Sequence, residues 1–282
     1  MDKLIFNVDS RFRNINQFPN SEFFSVELNE NQKNIDFIRL TSIEIPNVSY
    51  AFTNERKNNY FSMSITDTIN NTTTHIIQIP EDYYDNISIC SAINNIINTK
   101  FSFSSGTSIF QTPANTNITI DITTVGISGN KYKFDFYNGP NDYQSLGYQL
   151  GFREKEYTIS LGNNIITAEA YYDTNIDMYC FIRLNNYGHI TINPLINDSK
   201  KALYKITFDV DKKSLSFENG SDFINKTYFF RQPVNIKRLE FELLDFNGNR
   251  YNNRGIDYSI TVEMGQIYKE IEYNKRLNSL FS

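Results

Sequence analysis

The sequence predicts an all-β protein, an antiparallel jelly-roll sandwich with one inserted helix, and three observations predict it. Ten or more segments alternate apolar and polar residues at period two or are dense in β-branched and aromatic residues, with no β-α-β alternation. Aromatics are 15% of the chain, 23 Phe and 19 Tyr with no Trp, and such side chains suit pleated, half-buried surfaces. The third is the strongest local pattern, Arg231 to Tyr268, which reads as two long strands joined by a polar turn. There Leu239, Phe241 and Leu243 alternate with Arg238, Glu240 and Glu242, and Tyr258, Ile260, Val262 and Met264 alternate with Ser259, Thr261 and Glu263. Asp245, Asn247, Gly248 and Asn249 supply turn chemistry, and Pro233 stands just ahead of the first strand.

In chain order, Leu4–Val8 is a short strand, followed by a polar segment through residue 21. Phe24–Leu28 alternates as a second strand, and Ile35–Tyr50 is a long β-rich run that Pro46 ends or bends. Tyr60–Thr66 and Thr74–Ile79 read as a hairpin around a polar loop. The period then changes: Asp85 is placed to cap a helix over Asn86–Lys100, with Ile89, Ile93, Ile96 and Ile97 on one face. Phe101–Asn117 reads as a loop or short hairpin, and strands follow at Ile118–Thr123 and Lys131–Tyr137. Ser145–Phe152 is a compact apolar turn closed by Gly151. Ile159–Ala170 fits either state, whereas Met178–Leu184 and Ala202–Val210 are strands.

This organisation gives an N-terminal strand and arm (1–21), a jelly-roll domain (22–268) and a C-terminal tail (269–282). No Pro/Gly linker demands a boundary, and a second β subdomain inserted between residues 100 and 200 stays open. The tail mixes charge with Leu277, Leu280 and Phe281, and fits a docked short helix or an extended arm.

The net charge of −5 offers no basic excess to draw nucleic acid or anionic membrane. Cys90 and Cys180 alone make no disulfide framework, and no apolar run approaches 18 residues, so a soluble chain made in the cytosol is expected. The 38 Asn accompany heavy use of Ile, Lys, Phe and Tyr, a bias of AT-rich coding.

Catalytic and metal chemistry find little support. His75 and His189 are the only histidines, each in a strand-like context away from cysteine, which argues against zinc or iron. Asp245-x-Asn247-x-Asn249 opens like a calcium loop, but Arg250 and Ile256 stand where that loop needs Gly and Glu. No phosphate-binding or nucleophile motif is present, and both cysteines lie in apolar surroundings. Glu44, Glu240, Glu242 and Glu263 sit in strands, where outward carboxylates are commonplace. No enzyme activity, cofactor or metal is expected. The most specific feature is DSRFRN: an extended chain would present Arg11 and Arg13 on one side, beside Asp9, as a candidate assembly interface. An internal salt link pinning this segment to its own domain is the equal alternative.

Several stretches in order resemble a group of capsid proteins of nucleocytoplasmic large DNA viruses. They are IFNVDSRFRN and FPNSEFFSVEL near the start, then RLTSIEIPNVSYAF and NNYFSMSI, the LGYQLGF turn, and finally FRQPVNIKRLEFELLDFNGNRY with DYSITVEMGQIY. The group is that of jelly-roll minor capsid and penton (vertex) proteins, and the resemblance covers nearly the whole chain without any catalytic motif. It implies a structural virion protein, first a penton subunit closing icosahedral vertices. The expected partners are copies of itself as a pentamer, the major capsid protein and other minor capsid proteins, with no nucleic acid and no membrane insertion. The alternatives are a minor capsid protein cementing capsomers, and a carbohydrate-binding attachment module drawing on the abundant Tyr and Asn.

Overall fold

A computed structural model describes residues 2–112, 117–125, 129–136, 145–160, 164–173, 178–194, 200–208, 214–218 and 226–267. The tail, 269–282, lies outside them. The chain is an all-β, antiparallel jelly-roll protein with one principal helix, α1 (Asn86–Phe101). It divides into two compact units, Met1–Ser49 with Asp177–Ser282, and Tyr50–Ile176. The second unit begins well before residue 100, so it takes in the hairpin and the helix that the sequence reading placed in the main domain. No helix among the described residues is long and apolar enough to cross a membrane.

The first half of the chain supplies β1 (Asp2–Asp9), β2 (Phe23–Pro46), β3 (Tyr60–Thr66), β4 (Thr72–Gln78), β5 (Phe110–Gln111), β6 (Thr119–Asp121) and β7 (Lys131–Asp135). After the short helix α2 (Leu146–Gln149) come β8 (Glu156–Ile159), β9 (Ile165–Thr167), β10 (Tyr179–Leu184), β11 (Ile190–Thr191) and β12 (Lys201–Ala202). The last described elements are β13 (Tyr204–Thr207), β14 (Leu215–Glu218), β15 (Thr227–Leu244) and β16 (Ser259–Gln266).

The first unit holds a seven-stranded sheet in the order β1-β16-β2-β15-β10-β13, with β14 also on β2, and a two-stranded one, β11-β12. Its spine is β2, where the two strands expected at Phe24–Leu28 and Ile35–Tyr50 merge into one of 24 residues. The merger passes through Asn34, at φ 54°, a left-handed conformation that Asn tolerates. The start of β2 pairs with the end of β15, from Phe23↔Glu242 to Glu27↔Arg238, and its later part pairs with β16, from Ile35↔Gln266 to Glu44↔Ser259.

The two terminal strands are therefore not a hairpin, because β2 runs between them. The polar turn folds back onto β15 itself: Asp245 Oδ1 accepts from the N–H groups of Asn247 and Asn249, and Tyr251 N donates to Leu243 O. The chain then crosses β2 to begin β16. Pro233 likewise lies inside β15, within the register shift between Phe229 and Val234, where the ladder does not call on the N–H that proline lacks. The predicted faces hold, since Leu239, Phe241, Leu243, Ile260, Val262 and Met264 are all buried in one core with Phe24, Ile35 and Tyr251. Each such side chain contributes about 1.5–3 kcal/mol by leaving water.

The second unit holds a four-stranded sheet, β4-β3-β7-β8, and a three-stranded one, β5-β6-β9. The β3–β4 hairpin is as the sequence reads, with Asp67 accepting from the backbone of Ile69 and Asn71 in its loop. Asp85 and Ser88 form a reciprocal capping box that starts α1. Ile89, Ile93 and Ile97 turn into the core, and buried Asn94 explains a polar residue on that face. Its amide accepts from the N–H groups of Ile109 and Phe110 and donates to Phe110 O, tying β5 to the helix. Phe61, Phe110, Phe134, Phe136 and Phe152 fill the core. The Ser145–Phe152 segment is α2 plus a turn, and Gly151 closes it at φ 97°, where a Cβ would stand 2.0 Å from Ala170 O.

Candidate assembly surface

The DSRFRN element follows the edge strand β1. The chain leaves the extended conformation at Asp9, whose side chain accepts from Arg11 N, and makes one 3-10 turn over Ser10–Phe12. That turn overrides the period of two on which the one-sided arginine pair rests. Arg11 and Arg13 consequently face different surroundings, with side chains 69% and 7% exposed. Arg11 lies over Asp9, its Nε 3.0 Å from both carboxylate oxygens. The hydrogen bonds from Arg11 outweigh partial burial and hold the Asp9 carboxyl below its ordinary range.

Arg13 is an internal link. Its Nε donates to Phe18 O at 2.9 Å, Nη1 to Ser10 O at 2.8 Å and to Asp257, and Nη2 to Pro19 O at 3.0 Å. Ser10 completes the joint, with Oγ donating to Asp257 Oδ1 at 2.7 Å and accepting from Tyr258 N at 3.0 Å. A rigid turn thus displays Phe12, 85% exposed, beside Arg11, with Ile15 also exposed. A cleft beside the turn is lined by Asn7, Asp9, Arg11, Glu44, Ile256 and Asp257, among others, so its walls carry three carboxylates and an exposed isoleucine.

The four strand glutamates separate. Glu44 is exposed and accepts from Ser259 Oγ, and half-buried Glu240 pairs with Arg238. Contrary to the expectation of outward carboxylates, Glu242 and Glu263 are buried. Both lie on strand positions opposite the Leu239 and Val262 face yet are covered by cations, Arg183 and Arg39 among them from other strands. Glu263 sits between Lys3 and Arg39. Around Glu242 stand Arg183 Nη1 at 2.7 Å, Lys200 Nζ at 3.2 Å and Arg250 Nε at 3.3 Å. Burial pushes its carboxyl up, but Arg183 and Lys200 pull it down further, leaving it below its ordinary 4.5.

The remaining candidates are structural. His75 packs edge-on to Phe101 at 4.9 Å, and His189 is exposed. Cys90 and Cys180 are buried and form no disulfide with each other, and they lie in different units. Among the described residues no three of His, Cys, Asp and Glu group as a metal ion requires. Asp245 Oδ1 accepts from the backbone of Asn247 and Asn249 within the turn.

No family model matches the sequence, and no curated protein sequence matches it. In three dimensions the chain is similar to the crystal structure of the selenomethionine-labelled mavirus penton protein. The TM-score is 0.53 at 10% identity, and the match covers 95% of this chain and all of that one. At that identity the likeness establishes the jelly-roll fold.

Proposed function

We propose that this chain is a structural capsid protein of a virus, a penton subunit that associates with copies of itself at the vertices. The observation that carries the reading is the fold likeness to a penton protein over nearly all of this chain and all of that one, because it extends to both units. The described polar clusters fit the same reading. The buried charges are held by fixed partners, as a rigid scaffold needs, and the exposed groups of the Asp9–Ile15 turn are offered outward on a locked support. A ring of subunits is closed by heterologous contacts, each copy presenting two different surfaces. Arg11, Asp9 and Phe12 are the residues assigned here to one of them.

The test is sedimentation of the purified protein, followed by location of the chain in whole particles by reconstruction. Pentamers, and density at the five-fold vertices, are expected. The Arg11→Ala/Phe12→Ala variant should unfold at the wild-type temperature yet fail to form the oligomer. Density between capsomers away from the vertices would replace the penton role with a cementing one, and absence from particles would end the capsid reading.

A further inference from the structure

Three cations converge on one carboxylate in the first unit. Arg183 of β10, Lys200 just ahead of β12 and Arg250 in the loop after β15 all pair with Glu242, which is buried. Among the described residues no second carboxylate pairs with any of the three, so the cluster carries two surplus positive charges in a chain whose net charge is −5. Both oxygens of Glu242 are already taken, Oε2 by Arg183 and Oε1 by Lys200 and Arg250. Arg250 is the most exposed of the three, with 54% of its side chain open to solvent. Its Nε makes the bond to Glu242, and its guanidinium carbon stands 4.4 Å from the centre of the Phe23 ring, so the Nη pair remains to be used. A second carboxylate suits that fork, since its two oxygens match two parallel N–H donors.

The turn surface assigned above has the opposite character. Its cleft, about 450 Å³ in volume, is walled by Asp9, Glu44 and Asp257. Arg11 answers Asp9 and Arg13 answers Asp257, whereas exposed Glu44 accepts from the Ser259 hydroxyl and has no cation partner among the described residues. Ile256 lines the cleft and Phe12 projects next to Arg11, both exposed. We infer that the cluster around Glu242 is the other association surface and takes this cleft of a second copy, Arg250 of one chain meeting Glu44 of the next. Phe12 and Ile256 then meet the half-buried ring of Phe23.

Charge decides how the surfaces combine. Cluster against cluster, or cleft against cleft, would set like charges together at a cost in affinity, which disfavours both two-fold arrangements. Cluster against cleft is heterologous, the kind of contact that closes a ring. Within one chain Arg250 and Glu44 make no contact with each other, so the pairing is open to a neighbour. The ion pair fixes partner and register, and the apolar groups supply the rest of the contact.

The inference rests on the reading that this protein associates with copies of itself, and it names both surfaces. Its test is sedimentation of full-length Glu44→Lys, Arg250→Glu and the double variant Glu44→Lys/Arg250→Glu, each first checked by thermal unfolding. Either single reversal should weaken association roughly tenfold or more, because it sets like charges across the contact. The double variant restores opposite signs and should regain the wild-type oligomer. If Arg250→Glu lowers the unfolding midpoint, the neutral variants Arg250→Gln and Glu44→Gln carry the test: each should weaken association, and together no further than either alone. A folded double reversal that stays monomeric would overturn the pairing, as would wild-type association of either single variant or fully additive losses from the neutral ones. With oligomers still formed by the wild type, those outcomes leave the capsid reading standing. A wild-type protein that sediments only as a monomer sinks the self-association reading itself, and the pairing with it.

Discussion

The guanidinium of Arg13 donates to the carboxylate of Asp257 across 244 positions of sequence, closing the N-terminal turn onto the start of β16. The same guanidinium holds the carbonyls of Ser10, Phe18 and Pro19, so one side chain fixes the whole path from β1 toward β2. Arg13→Ala takes the guanidinium from the carbonyls of Phe18 and Pro19 and from Asp257, which keeps only Ser10 Oγ among these donors, and should cost roughly 2–4 kcal/mol. Arg11→Ala removes an exposed pair with Asp9 and should leave the unfolding midpoint where it is. Thermal unfolding of the two single variants checks this, and equal effects would show that Arg13 carries no special load.

Glu242 is the second fixed charge. Its folded carboxyl titrates below the ordinary 4.5, so its contribution is fully present above the unfolded value and is lost as pH falls through the folded one. Stability should hold from pH 7 to 5 and decline below about 4.5. Glu242→Gln leaves Arg183, Lys200 and Arg250 facing one another without a countercharge, at a cost of roughly 2–3 kcal/mol near neutrality. It should also flatten the acid limb. Urea titrations of both proteins at pH 7 and pH 4 are the measurement, and an unchanged acid limb in the variant would refute the assignment.

What was legible in the sequence is what neighbouring residues decide. The α1 start at Asp85, the β3–β4 hairpin and the α2 turn ending at Gly151 all follow from residues within a few positions of one another. The alternation in β15 and β16 likewise identifies the buried faces, because a period of two needs no partner to be read. The insertion of β2 between those strands was not legible, since strand order is set by pairing between residues some 200 positions apart. The candidate surface divides the same way. DSRFRN stands out by composition, but Arg13's burial depends on Asp257, and Glu242 and Glu263 look like solvent-facing strand residues until Arg183 and Arg39 arrive from other strands.

The two thiols offer separate reporters of the two units. Burial pushes the Cys90 thiol up to about 12, which removes its nucleophilic form at neutral pH, and Cys180 is buried within β10. Neither should react with a thiol reagent in the native protein. In rising urea, labelling of Cys90 should track loss of the second unit and labelling of Cys180 loss of the first. Rapid labelling of either without denaturant would contradict this burial.

Tyr157 anchors the end of the second unit's four-stranded sheet. Its hydroxyl accepts from Arg153 N at 3.0 Å and Glu154 N at 2.9 Å and donates to Glu169 at 2.7 Å. Tyr157→Phe removes one oxygen that serves three groups at once; Arg153 N keeps Glu169 Oε2 at 3.0 Å and all three groups reach water, so the loss should be about 0.5–1.5 kcal/mol. The pH dependence gives an independent check. Burial, reinforced by the Glu169 carboxylate, raises the phenol to about 12 from its ordinary 10.0. A raised value means that the stabilisation is complete below the unfolded value and fades as pH rises through the folded one. The wild-type protein should therefore lose stability between about pH 10 and 12, and Tyr157→Phe should lose less over the same interval. Denaturant unfolding of both proteins at pH 8 and pH 11 makes the comparison. If both decline equally, ionisation of Tyr157 is not what limits the alkaline stability of this unit.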